Sequence, residues 1–206
     1  MNRQGLAICC ALLLFPAVSA VSKAQSLEHS KWVGTWATSP MLAEGGFRVR
    51  PFAAVTLREV VHISSGGQQV RVRFTNEFGL DPLTIRDAHV ALSAGGAAIK
   101  DGTDHALTFG GEASVRIAPG AAMYSDPVDL VVAPLSDVAV SFFLPSQVMR
   151  AETAHLFADQ DNFVADGDQS AAASLTQPTT LSSWYFLDGF DVSASDQARA
   201  IVTLGD

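Results

Sequence analysis

From residue 55 onward, apolar and polar positions alternate in short runs. Val70, Val72 and Phe74 alternate with Arg71, Arg73 and Thr75, which predicts a strand with one buried and one wet face. Leu57 to Ile63 is a second such run, and the intervening Ser64-Ser65-Gly66-Gly67-Gln68 predicts a β-hairpin with glycine at its turn. Further runs follow at Leu83 to Leu92, Ala106 to Phe109, Ala113 to Ile117, Val128 to Val132 and Val138 to Leu144. Each ends at a Gly or Pro signal: Ala94-Gly95-Gly96, Gly110-Gly111, Pro119-Gly120, Pro134 and Pro145. Strand character returns at Leu181 to Leu187 and again around Phe190 to Val192. Upstream, Trp32, Val33, Trp36 and Ala37 form an apolar group before Pro40, and residues 41 to 53 read as a loop. Residues 146 to 180 read as irregular. Short strands at such spacing, with almost no helical period, predict an all-β fold: an antiparallel β-sandwich of jelly-roll type over residues 31 to 192.

The two ends read differently. Arg3 and the apolar run Leu6 to Val18 precede Val18-Ser19-Ala20, the pattern of a signal peptide over 1–20, with Ser22-Lys23-Ala24 offering an alternative cleavage after 24. The run is short for a bilayer span. The expected location is therefore secreted or periplasmic, with no stable membrane insertion after cleavage. Ser193 to Ala198 reads as a polar linker, and 199–206 as a new strand, Ile201 to Leu204, running into Gly205-Asp206.

Composition supports a packed domain. Of 206 residues 48% are hydrophobic and 17% charged, which excludes global disorder. A net charge of −8 supplies no basic stripe to displace counterions from phosphates, so a nucleic-acid partner is excluded. Cleavage after Ala20 would remove Arg3 alone among the charged residues, leaving 12 basic against 21 acidic side chains, a net charge of −9. Both cysteines, Cys9 and Cys10, fall in the leader, so the mature chain has neither disulfides nor thiolate metal ligands.

Four patterns could carry chemistry. No Gly-x-Ser-x-Gly occurs, and His29, His62, His89, His105 and His155 form no recognisable pairing with a serine and an acid. Asp159, Asp161, Asp166 and Asp168 supply hard oxygen ligands at short spacing, a calcium candidate. Phe163 interrupts the calcium-loop pattern and no Glu closes it, so an ordinary solvated acidic loop is the other reading. Asn76-Glu77-Phe78-Gly79 ends a strand either as a turn or as a ligand contact. Trp32, Trp36 and Trp184 are core aromatics or stacking surfaces for a sugar. Asn76, Glu77 and Trp184 are the candidate substrate contacts, and no cofactor is implied.

The segments Trp32-Val33-Gly34-Thr35-Trp36-Ala37, Leu57-Arg58-Glu59-Val60-Val61-His62, Val70 to Gly79, Ser183-Trp184-Tyr185-Phe186-Leu187 and Thr203-Leu204-Gly205-Asp206 occur in that order. Together they resemble secreted bacterial proteins of the SGNH, or GDSL, hydrolase family, namely members with an N-terminal β-sandwich before the catalytic domain. The resemblance covers residues 31 to 206. It implies that Gly205-Asp206 precedes the nucleophilic Ser directly. The oxyanion-hole Gly and Asn and an Asp-x-x-His pair would follow later. Only Gly205 and Asp206 match here, so the resemblance implies an accessory domain of a serine esterase that is inactive by itself. The parent enzyme's partner would be a small-molecule or polysaccharide ester carrying an acyl or acetyl group. The alternative is a stand-alone secreted module that binds a carbohydrate or a protein partner.

Overall fold

The structure, a computed structural model, describes residues 31–43, 52–194 and 198–199. The leader 1–20, the strand Ile201 to Leu204 and the pair Gly205-Asp206 lie outside the described residues. Within them the chain is all β. The strands are β1 (Lys31–Ala37), β2 (Met41–Ala43), β3 (Val55–Ile63), β4 (Gly67–Thr75), β5 (Leu83–Gly95), β6 (Ala98–Ile99), β7 (His105–Ala106) and β8 (Ser114–Ile117). They continue with β9 (Ala122–Tyr124), β10 (Val128–Val132), β11 (Ser136–Leu144), β12 (Glu152–Leu156), β13 (Asn162–Asp166), β14 (Thr179–Leu181), β15 (Ser183–Tyr185) and β16 (Leu187–Ala194).

Two antiparallel sheets form the sandwich. The front sheet runs β1-β16-β4-β10, with β9 also on β4; the back sheet runs β14-β13-β3-β11-β5-β6, with β7 and β8 also on β5. A small third sheet, β15-β12-β2, lies beside them. Alternation along β4 sends Val70, Val72 and Phe74 inward. They enter one continuous core with Leu57, Val61 and Ile63 of β3 and Val138, Val140 and Phe142 of β11. Phe74 meets Phe142 edge to face at 5.2 Å, which joins front to back. Each fully buried side chain of this kind contributes roughly 1.5–3 kcal/mol.

Strand β3 is buried on both faces. Its outward residues Thr56, Arg58 and Val60 are covered by residues 167–178 and by the β5–β6 hairpin. Val60 there joins a satellite cluster with Phe163, Ala165 and Leu175. Arg58 is wholly buried and acts as the clasp of this cover. It donates to Ser141 Oγ at 2.7 Å and to the carbonyls of Ala97 (2.7 Å), Ser170 (3.3 Å) and Ala172 (2.6 Å). Burial pushes its pKa down to about 10, partly offset by Asp104, so it stays charged at neutral pH.

Several expectations are corrected. The segment Ser64 to Gln68 is not a hairpin turn, because β3 belongs to the back sheet and β4 to the front sheet. The glycines are needed for close approach instead. A Cβ on Gly66 would lie 2.4 Å from the Val132 carbonyl oxygen, and one on Gly67 2.6 Å from that of Ser193. The stretch 146 to 180 contains β12, β13 and part of β14, and the stretch 41 to 53 contains β2. The front sheet also extends past 192, since Ser193 and Ala194 pair with Trp32 and Lys31 where a linker was expected.

Candidate functional site

The period of two that buries Val70, Val72 and Phe74 leaves Gln69, Arg71 and Arg73 on the open face of the front sheet. The register sets Asp191 of β16 opposite Arg71, and Gly189 opposite Arg73. On the far side of β16, Gly34 of β1 faces Asp191. Arg71 donates from Nε and Nη2 to Asp191 Oδ2 at 2.9 and 2.7 Å. Arg73 donates from Nη1 to Asp188 Oδ2.

Two aromatic rings interleave with these guanidinium groups. Arg71 Cζ lies 4.7 Å from the centre of the Trp32 ring and 4.3 Å from that of Tyr124. Arg73 Cζ lies 6.0 Å from the same Tyr124 ring. All these distances fall within cation–π range. The result is a ladder across the strands, from Trp32 on β1 past Asp191 and Arg71 to Tyr124 on β9. The two glycines keep it low. A Cβ on Gly189 would come within 3.1 Å of the Arg73 Cβ, and one on Gly34 within 3.6 Å of Asp191 Oδ1.

The ladder is electrically balanced, with two guanidinium groups against two carboxylates. Asp188 is almost entirely buried, and burial pushes its carboxyl above the ordinary value while Arg73 pulls it back; exposed Glu77 adds to the upward push. No described residue accepts a hydrogen bond from Arg71 Nη1 or from Arg73 Nε and Nη2. No described residue donates to Asp188 Oδ1. The face therefore presents fixed rings and unused donors, with the Asp188 carboxylate buried beneath them.

The residues expected to make substrate contacts lie elsewhere or serve the fold. Asn76 is buried, and its Nδ2 donates to the carbonyls of Asp81 (2.9 Å) and Ile117 (3.1 Å). Its own carbonyl accepts from Gly79 N and Gly120 N. Asn76 thus pins a turn, the first of its two readings. Glu77 is exposed, and of the three it alone bears on the ladder, through Asp188. Trp184 is a core residue, donating from Nε1 to the Val60 carbonyl at 2.8 Å and meeting Trp36 edge to face at 5.0 Å. An irregularity between Gly34 and Trp36 separates the two upstream tryptophans. Trp36 packs against Trp184, while Trp32 lies over Arg71.

The four aspartates do not converge. β13 runs from beside Asp161 to Asp166 at its end, and five extended steps of about 3.3 Å set Asp161 roughly 16 Å from Asp166. Asp168 Oδ1 is used locally, accepting from Ser170 N and Ser170 Oγ at 3.2 and 2.6 Å. Among the described residues no three acidic, histidine or cysteine side chains are grouped to hold a metal ion. Asp159 and Asp161 instead border a groove of about 510 Å³ on the back sheet, floored by Val60 and walled by Gly95, Gly96 and Asp137.

Two histidines have carboxylate partners. His62 Nδ1 lies 2.7 Å from Asp137 Oδ1, and His89 Nδ1 lies 2.9 Å from Asp104 Oδ2. A carboxylate on Nδ1 is the orienting half of a catalytic triad. Among the described residues, no serine hydroxyl is hydrogen-bonded to either ring. His155 donates from Nδ1 to the Ser39 carbonyl, and His29 lies outside the described residues. The wet face of β4 is legible in the sequence, but the place of Tyr124 is not. Its only sequence signal is an aromatic beside Ser125 and Asp126 in a short run, and pairing with Arg73 is a tertiary fact. No protein-family model matches this chain, and no curated protein matches it significantly.

Proposed function

We propose that this chain is the accessory, non-catalytic β-sandwich domain of a secreted ester hydrolase of the SGNH/GDSL type. Its working surface is the open face of the front sheet. The observation that carries the recognition role is Arg71, held between Trp32 and Tyr124 by Asp191. Ordering an arginine side chain costs up to about 2 kcal/mol of rotamer freedom. That cost is met by a partly buried ion pair, with Arg71 keeping 27% and Asp191 11% of its side-chain surface, and by two cation–π contacts of about 0.5–1 kcal/mol each or more. An arginine held rigid in this way is well suited to recognition, where preorganised groups lower the entropy lost on binding.

The link to ester hydrolysis rests on the ordered segments from Trp32 to Asp206 that resemble that family, and export rests on the leader pattern. Two measurements test the reading. The purified chain is treated with a fluorophosphonate probe and with p-nitrophenyl acetate. We expect no serine adduct and no turnover above buffer, and a labelled serine would overturn the non-catalytic assignment. An antiserum against the purified chain then gives the size of the native secreted species. A species larger by a further domain supports the accessory role. A species of this chain's size favours a stand-alone binding module, which would use the same face.

A further inference from the structure

We propose that the Trp32–Arg71–Tyr124 ladder is a binding site for a neutral glycan lying across the strands of the front sheet. The inference rests on the reading above that this face is a recognition surface, and it adds the class of ligand.

Charge decides the class first. Arg71 and Arg73 are each already matched by a carboxylate, Asp191 and Asp188, and Glu77 lies close enough to push Asp188 upward. The chain as a whole carries −8. A polyanion would meet no net positive charge here, and a polycation would compete with arginines already in place. A neutral ligand meets neither obstacle.

The chemistry of the ladder then matches hydroxyl groups on a ring. Hydroxyls both donate and accept. Arg71 Nη1 and Arg73 Nε and Nη2 are unused donors, and hydrogen bonds from a charged donor are the stronger kind. Asp188 lies buried beneath this face, where it holds Arg73, so the arginine donors carry the polar contacts to a ligand. Tyr124 is 39% exposed and Trp32 half-buried, so both rings keep an apolar surface for the carbon–hydrogen faces of a sugar. The rungs cross from β1 over β16 and β4 to β9, three strand spacings or roughly 14 Å. That is room for a short stretch of chain rather than a single ring.

The test is affinity electrophoresis of the full chain in native gels containing a neutral polysaccharide: xylan, a mixed-linkage β-glucan or galactomannan. Parallel gels contain polygalacturonate or heparin. We expect retardation by at least one neutral polymer and none by the anionic ones. Y124A and R71M should each weaken retardation about tenfold or more, while Y124F, which keeps the ring, should retain it. Thermal melting of each variant separates loss of the site from loss of the fold. No retardation by any neutral polymer, or equal retardation of wild type and Y124A, overturns the proposal. Retardation by anionic polymers alone, abolished in Y124A, overturns the ligand class and leaves the recognition face standing. Serine labelling by the fluorophosphonate probe overturns the non-catalytic reading independently of either result.

Discussion

The backbone N–H of Tyr185 donates to Glu59 Oε1 at 2.5 Å inside the sandwich, while Oε2 of the same carboxyl is buried with no donor among the described residues. Glu59 shares the inward face of β3 with Leu57 and Val61, so it occupies a core position. Its partner lies where the chain leaves the small sheet for the front sheet. There Phe186 takes a positive φ of 60°, its N–H donating to the Thr153 carbonyl of the small sheet and its own carbonyl accepting from Thr75 N of the front sheet. A buried N–H must find an acceptor, and Glu59 supplies one at the crossing.

That placement sets a pH dependence. Burial pushes the Glu59 carboxyl well above the ordinary glutamate value of 4.5, against the pull of the Tyr185 N–H, and burial shifts Asp188 upward as well. The folded chain then holds protons that the unfolded chain releases. This contribution to stability is complete below about pH 4.5 for Glu59 and below about pH 3.8 for Asp188, and each is lost as pH rises through the folded-state value. Asp81 and Asp126 act in the opposite sense. Bonds from Arg150, and from Thr108 with Gly111 and Gly110, hold them below the ordinary 3.8, so their contribution fades only as pH falls below that value. Urea unfolding should therefore show greatest stability in mildly acidic buffer and a decline toward alkaline pH. Glu59→Gln should flatten that decline; an unchanged slope in this variant would remove Glu59 as its source.

Arg58 should be the most sensitive position on the back sheet. Arg58→Met nearly keeps the volume but takes their Arg58 donor from the carbonyls of Ser170 and Ala172, and leaves the Ala97 carbonyl with Leu175 N alone. A lost bond to a charged partner costs about 1.5–3 kcal/mol, so we expect a loss of at least about 3 kcal/mol in urea unfolding. Hydrogen exchange should rise first in residues 167–178. Arg58→Lys should not rescue, because an ammonium cannot reproduce the forked geometry that reaches three carbonyls. Uniform exchange across the chain would argue against a local clasp.

Glycines of two kinds are separable by alanine substitution. Gly66→Ala places a Cβ 2.4 Å from the Val132 carbonyl oxygen and 2.8 Å from Pro134 Cδ, so backbone must move; we expect about 1–3 kcal/mol lost. Gly95→Ala meets nothing within 4 Å but keeps a φ of 95°, so only strain of about 1–2 kcal/mol is expected. NMR spectra should show the difference most clearly, as displaced resonances near Val132 and Pro134 in Gly66→Ala that Gly95→Ala leaves in place.

At Asn76, Asn76→Asp replaces a two-hydrogen donor by a carboxylate facing the carbonyls of Asp81 and Ile117. We expect a loss of about 2–4 kcal/mol together with unchanged ligand binding once the variant is folded at low temperature. Impaired binding in a folded variant would return Asn76 to the list of contacts.

Most strands were legible because the signal is local. Val128 to Val132 matches β10 at both ends, and the alternation in 70–75 predicts which face of β4 is wet. The missed strands β12 and β13 are buried along nearly their whole length and therefore show no alternation; their neighbours supply the pairing that makes them strands. The hairpin was misread because Gly66 and Gly67 signal a turn whether or not the flanking strands pair. At the candidate site, Arg71 was visible as an outward residue, but its partners Trp32, Tyr124 and Asp191 come from 39, 53 and 120 positions away.

Period, turn residues and composition alone determined that this chain forms an antiparallel β protein with a filled core, since each is a property of neighbouring residues. Only the tertiary structure decided which strands share a sheet, that Asn76 and Trp184 serve the fold, and that Trp32 joins Tyr124 across Arg71. Those outcomes depend on strand order and register, and both are set by long-range packing that no window of sequence contains.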